Sequence, residues 1–242
     1  MIFRQCPRLW PRPLATVVQT LVYLSGLRPM THVATRAPVA ALTFDDGPHP
    51  EYTPRLLAIL ARHQVRATFF MVGEAAHQYP ALVRQVAQEG HTIGNHSWDH
   101  PSFLTLSGRA RRRQIRACAQ ALAPYGDALF RPPYGEHSVT SCLDVFWLRH
   151  RMVTWNLDAE DWRAENPASL ASRLAERLQP GSIVLLHDAI YRSRQPVPQY
   201  NRDLTLAAVS LMLERLHGRF QFVSVSELLR YGRPITKWRI RA

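Results

Sequence analysis

Two adjacent carboxylates, Asp45 and Asp46, stand in the segment Thr43-Phe44-Asp45-Asp46-Gly47-Pro48, and fifty residues further on His96 and His100 bracket Ser97-Trp98-Asp99. One carboxylate and two neutral imidazoles form a three-ligand set for a divalent ion, with positions left for water and substrate. The second carboxylate is then free to act as a base. Each fragment alone has an ordinary structural use, the first as a turn and the second as two histidines sharing a helix face. Their chemistry depends on what brings them together.

Beyond residue 38, short apolar runs alternate with helical patterns, the signature of repeated βα units and a parallel sheet. The expected strands are Val39 to Phe44, Ala67 to Val72, His91 to Asn95, Ala128 to Arg131, Met152 to Leu157, Ser182 to Leu186 and Phe220 to Val225. Helix-like spacing falls between them at Pro54 to His63, Pro80 to Glu89, Ser107 to Leu122, Val139 to His150, Pro167 to Leu178 and Leu204 to Leu216, with prolines and glycines at the junctions. A chain of 242 residues with 46% hydrophobic residues is an ordinary size for a single α/β barrel. Asp45 and Asp46 then leave the first strand, His96 the third, Arg131 the fourth, Asp158 the fifth and His187 the sixth. All leave at the C-terminal end, the rim where parallel α/β barrels build active sites. His63, His77, His150 and His217 fall elsewhere and are read as surface or packing residues, while Asp99, His49 and Glu136 receive no role.

Five segments, Thr43 to Pro48, His96 to His100, Arg131-Pro132-Pro133-Tyr134, Asp158 to Trp162 and Leu185-Leu186-His187-Asp188, resemble in order and spacing the motifs of the polysaccharide deacetylase family, also called the NodB-homology or carbohydrate esterase 4 family. The resemblance spans roughly residues 38 to 230. It implies a distorted, TIM-like (β/α)7 barrel that removes acetyl groups from N-acetylated amino sugars in an oligosaccharide, glycolipid or glycan. Asp46, His96 and His100 would hold a divalent metal, zinc by default, with cobalt or nickel as alternatives. Asp45 would be the general base and His187 the acid, with Arg131 and Asp161 orienting them. The backbone N–H of Tyr134 would help hold the oxyanion, and Trp162 and Leu185 would wall the acetyl pocket. Asp158 is left between a catalytic role and a backbone-bonding one. A deformylase or amide hydrolase acting on a non-sugar substrate would use the same residues, whereas a non-catalytic glycan-binding barrel should have lost one of them. A two-histidine, one-carboxylate iron oxygenase would need no Asp45 and His187 pair.

The remaining sequence divides into an N-terminal basic amphipathic extension (1–37), the barrel (38–231) and a basic C-terminal tail (232–242). Arg4, Arg8 and Arg12 precede an amphipathic helix predicted over Leu14 to Leu27, which would pack on the barrel wall or lie at an anionic membrane surface. That run is too short to span a bilayer and is followed by no small-x-small cleavage site. A cytoplasmic protein, soluble or peripheral at a membrane, is therefore expected in preference to a secreted one. The net charge of +12 is almost entirely arginine, since Lys237 is the sole lysine. The basic run Arg109 to Arg116 reads as a solvated helix face or as a contact with an anionic or lipid-linked glycan or a membrane. Nucleic acid is not an expected partner, because no binding motif accompanies the charge. Cys6, Cys118 and Cys142 form neither a disulfide framework nor a zinc ribbon.

Overall fold

The computed structural model describes residues 27–164, 166–191 and 201–237. The helix predicted over Leu14 to Leu27 lies, apart from its last residue, outside the described residues. Strand β1 (Met30–Ala34) is followed by β2 (Val39–Asp45), helix α1 (Tyr52–Arg62), β3 (Thr68–Met71), α2 (Gly73–Gln78), α3 (Pro80–Gln88), β4 (Thr92–Asn95), α4 (Gly108–Leu122), β5 (Gly126–Phe130), α5 (Val139–Trp147), β6 (Arg151–Met152) and β7 (Leu157–Asp158). The chain continues through α6 (Pro167–Arg177), β8 (Ile183–His187), α7 (Asp203–Leu216), β9 (Gln221–Phe222), α8 (Val225–Leu228) and β10 (Arg233–Thr236). Two short 3-10 turns, Pro133–Gly135 and Asp161–Arg163, lie beyond the ends of β5 and β7. Among the described residues no helix is long and apolar enough to cross a membrane.

The main sheet runs β6-β5-β4-β3-β2-β8-β7, with β9 paired to the start of β2, and its ladders are parallel. This is the curled (β/α)7 barrel expected from the sequence, with β1, α2, α8 and β10 added to the expected elements. The run read as a single strand over Met152 to Leu157 is two short strands at opposite edges of the sheet. Residues 153–156 cross the gap between them. Val153 N–H donates to the Phe130 carbonyl at 2.8 Å on one side, and Asn156 N–H reaches the Ile183 carbonyl at 3.3 Å on the other. Strand β1 packs into this opening: Met30 bridges Val153, its carbonyl accepts from Thr154 N–H at 2.7 Å, and its side chain is fully buried. An antiparallel ladder joins β1 to β10.

Strand alternation sorts the side chains into two apolar layers. From β2, Ala40, Leu42 and Phe44 face the helices and join Leu56, Leu57 and Leu60 of α1. Val39 and Ala41 face the barrel interior with Phe70, Leu129, Trp155, Ile183 and Leu185. The same alternation turns Thr43 and Asp45 inward, and on β8 the sequence Ile183, Leu185, His187 does likewise. Since β2 and β8 pair with Asp45 opposite His187, the two polar ends of these inward stripes arrive at one level of the rim.

Candidate active site

Arg131 leaves β5 and is fully buried inside the barrel mouth. Its Nη1 donates to Asp45 Oδ1 and to Thr43 Oγ1, both at 2.7 Å, and Nη2 donates to the Thr154 carbonyl at 3.1 Å. The guanidinium lies 4.1 Å over the Phe70 ring and 5.5 Å from that of Trp155, a stacking contact that a buried cation uses in place of water. Burial pushes the Arg131 pKa down from its ordinary value, with Asp45 working in the opposite direction. The crossing segment 153–156 thus supplies an acceptor and a ring that hold the arginine. Asp45 Oδ2, the oxygen Arg131 leaves alone, points toward His96 Nε2 at 3.8 Å.

Asp46, His96 and His100 converge as expected, their ligand atoms within 4.8 Å of one another and all three residues buried. Asp46 Oδ1 lies 3.4 Å from His96 Nε2 and 3.3 Å from His100 Nε2. The histidines are not on a helix. They sit in the loop after β4, where Ser97 and His100 adopt φ of 69° and 56° and the ring centroids approach to 4.9 Å. His96 Nδ1 is 2.8 Å from the Arg131 carbonyl. A carbonyl only accepts, so Nδ1 carries the proton and Nε2 turns its lone pair to the site, the outer-shell arrangement of a metal-ligating histidine. Burial lowers the His100 pKa to about 4, which leaves a neutral imidazole. Burial would raise Asp46, but His100, His96 and His187 more than offset it and hold the carboxyl low. Among the described residues Asp46 Oδ1 is buried with no hydrogen-bond partner, while Oδ2 accepts from the Tyr191 N–H at 3.0 Å. A carboxylate oxygen placed 3.4 and 3.3 Å from the Nε2 atoms of His96 and His100 fits the donor set of a divalent cation.

On the other side, His187 Nδ1 is 2.8 Å from Asp161 Oδ1, so Nδ1 donates and Nε2 faces outward. Asp161 is almost wholly buried, and its Oδ2 accepts from the His187 N–H at 3.1 Å and from Thr205 Oγ1 at 3.1 Å, with Arg202 Nη1 at 3.5 Å. Burial would lower the His187 pKa, yet the Asp161 charge and hydrogen bond, helped by Asp46 and Asp45, raise it to about 9. Burial would also raise Asp161, and His187 and Arg202 reverse that. The Trp162 ring meets His187 edge-on at 5.2 Å, and Leu185 lies two residues below it on the inward stripe. Tyr134 has φ 59° and packs its ring against His100 at 4.6 Å. Asp158 bonds the Trp155 indole and the Glu160 N–H, both at 3.0 Å.

Several residues of the site carried no role in the sequence reading. Thr43 could have been found by strand parity with Asp45. Asp188 sits inside one of the five segments, and its Oδ2 accepts from Thr53 Oγ1 at 2.5 Å. A Cβ at Gly47 would come within 2.4 Å of it, which is why a glycine follows Asp46. Burial raises the Asp188 pKa to about 7. Tyr191, Arg202 and Thr205 belong to no local pattern. Asp99 is held by Gln114 Nε2 at 2.7 Å, and His49 Nδ1 accepts from the Glu51 N–H at 3.2 Å, so both serve loop structure.

The chain is similar to known proteins in sequence and in fold. A family profile described as polysaccharide deacetylase matches residues 32–152. The chain is 36% identical over 184 residues to a chitooligosaccharide deacetylase of Azorhizobium caulinodans, covering 74% of this chain and 88% of that protein. Its fold superposes on the Bc1960 peptidoglycan N-acetylglucosamine deacetylase with a TM-score of 0.78 at 27% identity, covering 89% of this chain and 99% of the other. A Bacillus anthracis protein described as a family 4 pseudoenzyme is also similar, with a TM-score of 0.74, 25% identity and coverage of 85% and 70%. Five matching motifs, a shared curled barrel and these relatives lead to one assignment: the chain belongs to the polysaccharide deacetylase family.

Proposed function

We propose that the chain is a divalent-metal-dependent hydrolase that removes acetyl groups from N-acetylglucosamine units of an oligosaccharide or glycan. The observation that carries the reading is the opposition of Asp45 and His187 at one level of the rim, each fixed by a buried partner, across the Asp46, His96 and His100 set. Asp46, His96 and His100 would hold the ion, with zinc the proposed metal. The chemistry such an ion supplies is Lewis acidity, which lowers the pKa of bound water and polarises the amide carbonyl. Asp45 Oδ2 accepts the proton of the attacking water. His187 Nε2, protonated at neutral pH by virtue of Asp161, delivers a proton to the leaving nitrogen. The Tyr134 N–H donates to the developing oxyanion, while Trp162 and Leu185 limit the acyl pocket to a small group. The fold itself is compatible with an inactive relative, so the reading rests on these residues.

The test is acetate release from chitooligomers and peptidoglycan fragments, with bound metal measured by elemental analysis in parallel. Chelation should abolish release and added zinc should restore it. Unchanged release from verified metal-free protein overturns the metal assignment. Activity confined to formyl or non-sugar amides would overturn the substrate class in favour of a deformylase or amide hydrolase.

A further inference from the structure

The outer wall formed by α4 and α5 carries a surface that the proposed reaction does not use. Phe146 and Trp147 end α5 with 62% and 80% of their surface exposed, although neighbours Cys142 and Val145 pack inward on Phe103, Ile115 and Phe130. Leu104, in the loop from His100 to α4, is 55% exposed. Adjacent apolar side chains of this size, left outside a core that is complete without them, mark an interaction surface.

Charge next to them selects the partner. Helix α4 contains Arg109, Arg111, Arg112, Arg113 and Arg116 and no acidic residue. Four of these lie at its N-terminal end, where the helix dipole is already positive and cations are disfavoured. Asp144 of α5 compensates two, accepting from Arg111 Nε at 2.7 Å and from Arg112 Nη1. It thereby fastens α5, with its two terminal aromatics, beside the start of α4. Arg109, Arg113 and Arg116 fall on one exposed helix face and make no ion pair among the described residues, and Arg149 and Arg151 follow Trp147 on the surface. A helix that gathers uncompensated cations at its wrong end calls for an external anion. Arginines beside exposed Trp and Phe match the interface of an anionic bilayer, where phosphates meet the cations and the rings sit at headgroup level.

We infer that the α4 and α5 wall docks on an anionic lipid surface, with Phe146 and Trp147 inserted and Arg109, Arg113 and Arg116 against lipid phosphates. Helix α4 follows the loop that carries His100. This contact is independent of the catalytic reading, since none of its residues lines the site.

The experiment is vesicle co-sedimentation of the full chain with phosphatidylcholine alone and with phosphatidylcholine mixed with phosphatidylglycerol, at low and high salt. The parent should bind the anionic vesicles and be released by salt. The exposed double variant F146S/W147S should lower the partition coefficient about tenfold, and Arg113→Gln or Arg116→Gln about fivefold each. Acetate release from soluble chitooligomers by these variants should stay at the parental rate, so failure of the catalytic reading is seen separately. Three results overturn the inference: no parental binding to anionic vesicles, binding undiminished in F146S/W147S, or a patch that proves to be a homodimer face. The last would appear as a dimer in sedimentation of the free parent that the double variant converts to monomer without vesicle binding by either.

Discussion

Asp45 and His187 face each other from paired strands, and each is gripped by a buried side chain of opposite charge, yet the two grips are built in opposite senses. On the β2 side the reacting group is the carboxylate and the holder is Arg131, which donates to Oδ1 and leaves Oδ2 free. On the β8 side the reacting group is the imidazole and the holder is Asp161, which takes the Nδ1 proton and leaves Nε2 exposed to the mouth. A guanidinium has no proton to give in the accessible pH range, so the first pair can only accept at its free atom. The second can only donate there while His187 is charged. Direction of proton flow is thus set by which member of each pair is buried deeper, in keeping with a base and an acid acting on one substrate.

Breaking the reacting members should have the largest effect. Asp45→Asn is expected to keep bound metal and lower kcat by about 10²- to 10⁴-fold, and His187→Gln to do the same; a rate near the parent's in either would remove that residue from the mechanism. His96→Ala should instead lose the metal, measured by elemental analysis. Breaking a holder is expected to separate the two sides. Arg131→Gln leaves Asp45 buried without its cation, and the chain should lose ~3–5 kcal/mol in urea unfolding. Asp161→Asn acts on titration. The raised pKa of His187 means its charge stabilises the fold fully below the unfolded value near 6.5 and ceases to as pH rises through about 9. Without Asp161 the alkaline limb of the kcat profile should move to lower pH, by more than one unit if the carboxylate is the main cause. A limb that stays in place would show that another group titrates there.

Much of the β2 side was legible in the sequence, and less of the frame around it. The inward stripe ending in Asp45 follows from an apolar run stopped by Asp-Asp-Gly, and His187 from a similar run, because a strand's period of two is visible locally. Residues 152–157 misled for the same reason. Met-Val-Thr-Trp-Asn-Leu has strand composition, but Thr154 and Trp155 are buried against Arg131 rather than by a ladder, a tertiary cause that periodicity does not carry. The spacing of His96 and His100 alone would also suit a shared helix face, whereas two left-handed residues in the loop after the strand make the approach. Pairing of Met30 with Thr236 joins the segment before residue 38 to the segment after residue 231, and Arg202 and Thr205 reach Asp161 from the start of α7. Contacts of that sequence separation leave no short-range signal.

The smallest expected effect concerns a third buried carboxylate, Asp188, next to His187 but on the opposite face of β8. Asp161 and Asp188 are both almost completely buried. Burial alone would raise both, and they part because His187 and Arg202 stand beside Asp161, whereas at Asp188 the Thr53 hydroxyl and a backbone N–H offset burial only in part and the charges of Asp46 and Asp45 add to it. A carboxyl whose folded pKa is about 7 binds its proton more tightly than in the unfolded chain. Its contribution therefore favours the fold below the unfolded value near 4 and is lost as pH rises through about 7. Asp188→Asn keeps an acceptor for Thr53 in the same volume and removes the titration. The variant should match the parent in thermal stability near pH 5 and exceed it at pH 8, by a margin on the order of 1 kcal/mol or about 2–4 °C in Tm. A variant less stable than the parent at pH 8 would mean that Asp188 is held as an anion after all, and burial without a cation would not be what distinguishes it from Asp161.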